Sequence, residues 1–349
     1  MESSNKLSKE NNKENKSTKQ NPIIENLKSD YFLQKLYDNM TNKKKLEIVR
    51  FNKRAQYRLN LNIKDYKEYS ETFTPIVIEM VPSKDKYGRF ININENDKLF
   101  YHIYFNDNEE EIKNKYEIKE EDKVTKIKTL IDYQVKSFKE LFYDCECIQS
   151  INFKKFYRNN ITDISFMFDG SSSLKELNFI NFNTVSIKDM QGIFQGCSSL
   201  KELNLTNFNT NNVRDMSCMF NGCSSLEKLN LRNFNTNNVI YMSFMFYGCS
   251  SLKELNLTNF NTENVIYMRW MFSRCSSLEE LNLTNFNTSN VIDMSWMFSE
   301  CSSLKKLNLT NFNTSNVTDM RWMFSECPYD LKRKIKSENK NFRDEAFDD

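Results

Sequence analysis

CSSLEELNLTNFNTSNVIDMSWMFSE, residues 275–300, is one copy of a 26-residue pattern that fills the second half of the 349-residue chain. A cysteine opens each copy, and the cysteines in register are Cys197, Cys223, Cys249, Cys275, Cys301 and Cys327. Two further steps back along the chain reach Ser171 and Cys145. A fixed period of about 20 to 50 residues is typical of proteins in which one copy cannot bury its apolar side chains without its neighbours. The pattern therefore predicts a solenoid of stacked copies.

The first third of the copy predicts a β-strand. Leu278, Leu281 and Leu283 have the LxxLxL spacing of leucine-rich repeats. Side chains alternate along a strand, so Leu281 and Leu283 point into the protein while Glu280 and Asn282 point outward. Seven such segments are expected to form one parallel sheet roughly 30–35 Å across, at about 4.8 Å per strand.

The last third of the copy predicts a short helix. Met294, Met297, Phe298 and Cys301 recur at the spacing of one helical face, and residue 296 then points outward. The expected fold class is an α/β repeat solenoid of the leucine-rich repeat type. It has a parallel sheet on one face and short helices on the other.

Stacking of the copies places identical residues above one another. The predicted spine of phenylalanines comprises Phe182, Phe208, Phe234, Phe260, Phe286 and Phe312. The cysteines form a further column, and their spacing is unlike that of metal sites. Buried free thiols are favoured over disulfides between neighbouring copies.

The segment CSSLKELNLTNFNTNNVRDMSCMFNG, residues 197–222, resembles the BspA-like leucine-rich repeat family, found on bacterial surfaces and in some protists. The signature NV-xx-M-xx-MF-xx-CSSL recurs almost unchanged over about residues 142–327. The resemblance implies a leucine-rich repeat fold and an adhesive role at a cell surface. Standard leucine-rich repeats place an asparagine where this chain has Phe208, so a displaced asparagine, Asn207 or Asn209, is expected to form the ladder in the turn.

Composition divides the chain into five parts. Residues 1–27 predict a disordered tail, 28–72 a helical segment, 73–140 a β-rich N-terminal cap, 141–327 the solenoid and 328–349 a C-terminal cap or tail. The predicted cap strands lie in TPIVIEMVP, GRFININ, KLFYHIYF and KVTKIKTLI, and they are expected to cover the open first copy. Pro328 ends the strand ladder, and the last dozen residues are expected to fray.

Three helices are predicted in the helical segment. The first begins at Ser29 or Asp30, and its buried face is Phe32, Leu33, Leu36 and Tyr37. The second uses Leu46, Val49, Phe51 and Ala55, and the third uses Ile63, Tyr66 and Tyr69. The order of apolar and basic residues resembles an F-box, a short helical module that docks an adaptor onto a ubiquitin-ligase scaffold. A basic helical cap is the alternative.

Composition and motifs argue against several classes of function. Lys plus Arg (49) nearly balance Asp plus Glu (47), so the net charge predicts no nucleic-acid partner. The chain contains no run of about 18 apolar residues, so no membrane insertion is predicted. His102 is the only histidine, and the six glycines form no phosphate-binding loop. We therefore expect a protein that is not an enzyme, with no cofactor, no catalytic residue and no metal ligand.

Two outward surfaces are candidate partner-binding sites. On the sheet face, a column of amides comprises Asn204, Asn230, Asn256, Asn282 and Asn308. On the helical face, the outward aromatic residues are Phe166, Phe244, Trp270, Trp296 and Trp322, which include every tryptophan of the chain. Exposed aromatic columns beside arginines are typical of binding sites. For the aromatic rings, the alternatives are that they only stack between copies or that they contact the C-terminal tail. For the asparagines, the alternative is that they only satisfy one another.

The leading functional hypothesis is a non-enzymatic protein that binds another protein through its solenoid surfaces, with a carbohydrate as the alternative partner. A second hypothesis is an intracellular adaptor whose N-terminal helical segment recruits a complex such as a ubiquitin ligase. A third is a cell-surface adhesin. The N-terminal residues have no apolar region of a secretory signal, which favours a cytoplasmic location, with the cell surface as the family-based alternative.

Overall fold

The computed structural model describes residues 28–40, 44–45, 53–60, 73–156 and 158–349. By its contacts the chain divides into two units, residues 1–71 and residues 72–349. The predicted tail at residues 1–27 and the predicted third helix at Ile63, Tyr66 and Tyr69 lie outside the described residues. So do Leu46, Val49 and Phe51 of the predicted second helix.

Helix α1 of the first unit spans Asp30–Asp38. Ser29 is its N-cap, and the serine hydroxyl accepts a hydrogen bond from the backbone N–H of Phe32, which confirms the predicted start. Leu33 and Tyr37 are buried, whereas Phe32 is 62% exposed and Leu36 is 39% exposed. The prediction that all four are buried is wrong because the covered face is only as wide as one i, i+4 pair.

Helix α2 spans Lys53–Arg58 and buries Ala55. The Nε atom of Arg58 lies 2.7 Å from Oδ1 of Asp30. An ion pair therefore joins α1 and α2 within the first unit.

The second unit begins with strands that form the predicted β-rich cap. They are β1 (Ile76–Pro82), β2 (Gly88–Arg89), β3 (Tyr101–Phe105), β4 (Glu117–Ile118) and β5 (Ile127–Ile131), with 3₁₀ turns at Glu95–Phe100 and Glu120–Asp122. Two strands of the repeat region follow, β6 (Ile148–Lys155) and β7 (Glu176–Phe179). The sheet has the order β3-β5-β1-β6-β7.

Strand β6 connects the cap to the repeats. It pairs antiparallel with β1 on one side and parallel with β7 on the other. The cap therefore covers the edge of the first repeat strand, as a terminal unit of a stacked array must. The alternate residues Ile76, Ile78 and Met80 of β1 are fully buried. They belong to one hydrophobic cluster with the buried residues of the repeats, so the core is continuous from the cap into the repeats.

The leucine segments form fewer strands than predicted. Beyond β7 the strands are β8 (Glu202–Asn204), β9 (Lys228–Asn230), β10 (Glu280–Asn282) and β11 (Lys306–Asn308). They pair as β8 with β9 and β10 with β11, each residue opposite the one 26 positions later. Residues 254–256 form no strand, although Leu255 and Leu257 remain buried. The predicted continuous sheet of seven strands is therefore wrong, while the inward direction of the leucines is confirmed.

The predicted short helices are also wrong, because the segment after each leucine strand folds into successive turns. The backbone N–H of Met297 donates to Met294 O at 3.3 Å, and that of Ser299 donates to Trp296 O at 3.2 Å. The N–H groups that alternate with these bond to the next copy: Trp296 N donates to Arg321 O at 3.0 Å, and Phe298 N donates to Met323 O at 2.9 Å. These N–H groups are thus unavailable for the i to i−4 bonds of an α-helix.

Left-handed residues complete these turns. Trp296 has φ 59° and Glu300 has φ 60°, a conformation that an α-helix does not contain. A positive φ at the third position is typical of type II turns. The turns still direct Met294, Met297 and Phe298 inward, so the sequence shows the apolar spacing of a helix without forming one.

Two further side-chain ladders join the copies in the loop between strand and turns. The hydroxyl of Thr262 donates to Asn287 O at 2.8 Å, and the fully buried Thr288 donates to Asn313 O at 2.9 Å. The Nδ2 group of Asn285 donates to Leu257 O at 2.9 Å. This asparagine precedes the phenylalanine of the copy, so the predicted displaced asparagine ladder is confirmed. The threonine ladder beside it was not predicted.

The thiol column consists of buried free cysteines. The Sγ of Cys275 donates to Phe246 O at 3.1 Å, and the other repeat cysteines make the same bond to the phenylalanine 29 residues earlier. In the copy where Ser171 replaces cysteine, its hydroxyl donates to Phe142 O at 2.7 Å. Burial raises the pKa of Cys275 to about 12, which keeps this thiol protonated at neutral pH.

One phenylalanine column forms an unbroken stack through the repeats. It is the phenylalanine at the MF position of each copy, where Leu141 and Ile193 replace the methionine in two copies. Neighbouring ring centroids are 5.4 to 5.8 Å apart from Phe142 to Phe324. In the predicted spine, Phe182 and Phe208 are stacked at 5.5 Å, and all six rings of that spine are buried.

The C-terminal segment covers the last copy. Helix α3 (Tyr329–Glu338) buries Leu331 and Ile335, and a 3₁₀ turn follows at Asp344–Phe347. Glu345 O accepts a hydrogen bond from Trp322 N at 2.8 Å, and Ala346 O accepts one from Phe324 N at 2.8 Å. The expected fraying of the last residues is wrong, since their carbonyls take the place that a next copy would fill.

Candidate functional site

The outward aromatic column forms a stacked ladder on the turn side of the last four copies. The ring centroids of Phe244 and Trp270 are 5.9 Å apart, those of Trp270 and Trp296 4.6 Å, and those of Trp296 and Trp322 4.8 Å. The planes of the first two pairs are within 8° of parallel. All four side chains are partly exposed. Each ring therefore covers its neighbour's face and leaves an edge toward solvent.

Three arginines lie against this ladder. The guanidinium of Arg269 is 5.5 Å from the ring centroid of Phe244, and that of Arg321 is 5.3 Å from Trp322. Arg274 lies over Tyr247 and forms an ion pair with Glu300 at 2.9 Å. Guanidinium groups over aromatic rings are attracted by the ring quadrupole, and the first and last rings of the ladder, Phe244 and Trp322, each have an arginine beside them.

A serine accompanies each tryptophan. The residue three positions after the tryptophan is Ser273, Ser299 or Ser325, and all three are buried. Where the outward residue is Phe244, the corresponding position holds the larger Tyr247. The change from tyrosine to serine therefore accompanies the change from phenylalanine to tryptophan.

Sequence reasoning missed a second aromatic column beside the first. The rings of Tyr241 and Tyr267 are stacked 5.7 Å apart with planes 9° from parallel. Aspartate occupies this position in the neighbouring copies, for example Asp215 and Asp293. The exchange of aspartate for tyrosine in two consecutive copies was visible in the sequence, but the turn geometry was needed to place these residues beside the ladder.

Partly exposed isoleucines extend the same surface. Ile240, Ile266 and Ile292 stand where other copies have Arg214 or Thr318. We call the combined surface the turn-side patch. Its members are Ile240, Tyr241, Phe244, Tyr247, Ile266, Tyr267, Arg269, Trp270, Ile292, Trp296 and Trp322.

Phe166 is separated from this patch. Two copies lie between Phe166 and Phe244, and their outward residues are Gly192 and Cys218. A Cβ atom at Gly192 would lie 2.4 Å from Cδ1 of Phe166, so the ring occupies the space of the missing side chain. The predicted aromatic column is therefore continuous only from Phe244 to Trp322.

The predicted asparagine column is exposed on the opposite, leucine-strand side. Oδ1 of Asn256 accepts hydrogen bonds from the backbone N–H and the hydroxyl of Thr258, at 3.1 and 2.8 Å. The same backbone bond is made at Asn204, Asn230, Asn282 and Asn308. These amides thus fix the start of the following turn.

Ion pairs neutralise much of the charge beside the asparagines. Lys228 pairs with Glu202, and Lys306 pairs with Glu280, in each case between neighbouring copies. Lys305 and Glu279 form a further pair at 2.8 Å. The leucine-strand side therefore presents a mixed surface with little net charge.

The described residues also bear on three other features: a metal site, a cavity in the cap and a membrane-spanning helix. In the part of the chain that the structure describes, no group of three or more His, Cys, Asp or Glu side chains could hold a metal ion. A cavity of about 400 Å³ in the cap is lined by Glu95, Lys98, Lys115 and neighbouring residues. Lys98 pairs with Glu95, and Lys115 pairs with Asp122. None of the described helices has the length and apolar character needed to cross a membrane.

The single histidine has a structural environment. Nδ1 of His102 lies 3.1 Å from Glu111, and Nε2 lies 3.3 Å from Asp132. These carboxylates raise the pKa of His102 despite the opposing effect of its burial, which is the largest single influence. Nearby, the buried Arg158 donates to Asp132 O at 2.6 Å. The cluster ties strand β3 to the segments on either side of it.

In comparisons with known proteins, no curated protein matches the chain. Among solved structures, the chain is similar to the crystal structure of a T. pallidum leucine rich repeat protein (TpLRR). The sequence identity is 17% and the TM-score 0.33, over 58% of this chain and 74% of that one. The family described as Mycoplasma protein of unknown function, DUF285, matches residues 136–254 and 222–338. Because these two segments together cover more than half of the chain, the protein belongs to the DUF285 family.

Proposed function

We propose that this protein is a non-enzymatic binding protein, that its stacked copies form a leucine-rich repeat solenoid, and that its turn-side patch binds another protein. The observation that supports the proposal is the composition of the patch. Tryptophan, tyrosine and arginine are the residues most enriched among those that dominate the binding energy of protein interfaces. In this chain they gather in consecutive copies whose inward residues are otherwise unchanged.

The arrangement of the rings favours a protein over a carbohydrate as partner. Trp296 is stacked on both faces, by Trp270 and by Trp322. A sugar ring would need an open aromatic face to lie on, whereas the exposed ring edges and the isoleucines suit contact with side chains and backbone.

Capture of partners from the native cell tests the proposal. The variant with Trp270, Trp296 and Trp322 all changed to alanine is expected to lose the partners that the wild-type chain retains. The matched control changes Asn204, Asn256 and Asn282 to alanine on the leucine-strand side, and it is expected to retain them. Circular dichroism and thermal unfolding of both variants separate loss of binding from loss of fold. Equal capture by the tryptophan variant and wild type would contradict the proposal.

We further infer that the copies are of the BspA-like type and that the protein works in a reducing compartment such as the cytoplasm. The recurring NV-xx-M-xx-MF-xx-CSSL signature supports the first inference. The column of buried free thiols supports the second, since disulfides are rare where thiols are kept reduced. Fractionation of native cells tests the location, and recovery on the cell surface would contradict it.

A further inference from the structure

The three tryptophans of the turn-side patch have hydrogen-bond donors without an acceptor. Among the described residues, no side-chain hydrogen bond involves Nε1 of Trp270, Trp296 or Trp322, and none of these atoms is among the buried unpaired ones. The indole N–H groups therefore reach solvent. An indole N–H that becomes buried usually finds a hydrogen-bond acceptor. A partner that covers the patch would therefore meet three donors in a row.

The stacking determines which part of each ring a partner can contact. An aromatic ring is negative on its face and positive at its edge. The faces of Trp270 and Trp296 are 4.6 Å apart and cover each other, so the partner meets positive edges and N–H groups. This surface attracts oxygen acceptors, such as peptide carbonyls and carboxylates.

Arg269 adds a full positive charge to the patch. Arg274 and Arg321 are paired with Glu300 and Asp319. Arg269 lies over the ring of Phe244, and within the described part of the chain it has no carboxylate partner. Arg321 pairs with the aspartate two residues before it, whereas the residue two positions before Arg269 is Tyr267.

We propose that the turn-side patch binds an extended acidic peptide segment of a partner protein. Carbonyl or carboxylate oxygens of the segment accept hydrogen bonds from the three indoles, and one of its carboxylates pairs with Arg269. Apolar side chains of the segment pack on Ile266 and Tyr267. This inference rests on the proposed protein-binding function and adds the chemistry of the partner.

A polyanion such as single-stranded nucleic acid is less well matched. Binding of nucleic acids depends on many phosphate contacts from cations and on open aromatic faces for the bases. The patch has one unpaired arginine, and its tryptophan faces are covered. The three indole donors and the single unpaired arginine are therefore suited to a segment that carries few negative charges and is otherwise apolar.

Selection from a random dodecapeptide library displayed on phage tests the proposal with the full-length chain. Peptides retained by wild type are expected to be enriched in Asp and Glu, alternating with apolar residues. A synthetic peptide from the selection is then titrated against variants by fluorescence anisotropy. The variant W270F/W296F/W322F keeps stacked rings, as Phe244 does natively, but removes all three donors, and its affinity is expected to fall about tenfold or more. Arg269→Gln is expected to weaken binding about fivefold and to reduce its dependence on salt.

The control variants separate this inference from the function on which it rests. The Asn204, Asn256 and Asn282 alanine variant should bind the peptide as wild type does. Enrichment of neutral or basic peptides, or unchanged affinity of the phenylalanine variant, would overturn the acidic partner while leaving a protein-binding patch in place. Tighter binding of an oligothymidylate than of any selected peptide would also overturn it. If the triple alanine variant retains the same peptides as wild type, the proposed function itself fails.

Discussion

Thr288 shows at the scale of one residue how the copies are held in register. Its hydroxyl donates to Asn313 O at 2.9 Å and accepts a hydrogen bond from Asn313 N at 2.7 Å. One buried group thereby satisfies both backbone groups of the same residue in the next copy. Thr284, in the same copy, is partly exposed, and its backbone N–H rather than its hydroxyl is hydrogen-bonded.

Replacement of Thr288 by the equally shaped valine is expected to lower the free energy of unfolding by about 1–3 kcal/mol. The reason is that the backbone N–H and carbonyl of Asn313 lose their partner. Thr284→Val is the matched control, and a change within about 0.5 kcal/mol is expected there. Urea denaturation measures both. Similar values for the two variants would contradict the role of the threonine ladder.

Because the thiols are buried, the free energy of unfolding is expected to depend on pH in the alkaline range. Burial raises the pKa of Cys223 and of Cys275 from the ordinary value near 9 to about 12. In the unfolded chain these thiols lose their proton above pH 9, whereas in the folded chain they keep it up to about pH 12. Raising the pH through this window therefore favours the unfolded state.

Each such cysteine is expected to lower the free energy of unfolding by about 1.4 kcal/mol per pH unit between these limits. Cys275→Ser should show a shallower decline above pH 9 by that amount. The fold should survive the change, because Ser171 makes the equivalent bond natively. Urea denaturation at several pH values from 7 to 11 measures this difference in slope. Equal slopes for wild type and variant would show that burial does not hold the proton on Cys275.

Among the elements, the turns replace the helices that the sequence indicated. The spacing of Met294, Met297, Phe298 and Cys301 fits both an α-helix and two overlapping turns, so periodicity could not distinguish them. What separates them is where the N–H groups bond. The bond from Trp296 N to Arg321 O requires the next copy, and this contact exists only after stacking.

The C-terminal 3₁₀ turn ends the array by imitating part of a copy. The ring of Phe347 stacks on Phe324 at 5.2 Å, which continues the phenylalanine column by one ring. Ala346 is fully buried beside it. Phe342 and Phe347 were visible in the sequence as aromatic residues of a charged tail, but nothing there indicated which ring they would meet.

Phe347→Ala is expected to lower stability by about 1–3 kcal/mol, less than the loss for a fully buried phenylalanine, because Phe347 is partly exposed. The effect should be local. Amide hydrogen exchange of Trp322 and Phe324, whose N–H groups bond to the tail, should speed up more than that of Trp270. Asp348→Ala is the control, since Asp348 is exposed. Uniform acceleration through all copies would contradict a local cap.

At the scale of the whole molecule, residues 72–349 form one unit with a continuous core. Strand β6 belongs to the cap sheet and to the first repeat pair, so cap and repeats are expected to unfold together. Residues 1–71 form the other unit. The turn-side patch lies entirely within residues 72–349.

A chain consisting of residues 72–349 is therefore expected to fold and to keep its thermal midpoint within about 2–4 °C of the full-length protein. It should also retain the partner captured by the turn-side patch. Loss of a different partner on deletion would support the adaptor hypothesis for the first unit. Aggregation of the shorter chain, or loss of the patch partner, would contradict the prediction that residues 72–349 fold and bind as one unit.

The candidate site could be predicted only in part. The sequence identified the outward column because the residue at this position differs between copies while the rest of the motif is nearly constant. Trp270, Trp296 and Trp322 occupy the position in three of them. It did not identify Tyr241 and Tyr267, since a helix would have placed their column elsewhere. The predicted inclusion of Phe166 failed for a similar reason: continuity depends on Gly192 and Cys218, which interrupt the stack.

By itself the sequence determined the 26-residue period, the leucines, methionines and phenylalanines that face inward, and the asparagine ladder before each phenylalanine. These follow from apolar burial and from the repetition of identical residues, which are properties of one copy and its spacing. Only the tertiary structure decided that the outer segment is a series of turns and that the leucine strands pair in separate groups. It also decided that the tryptophan rings cover one another and leave their N–H groups to solvent. The physical reason is that hydrogen bonds between copies compete with bonds within a copy, and the former exist only when the copies are stacked.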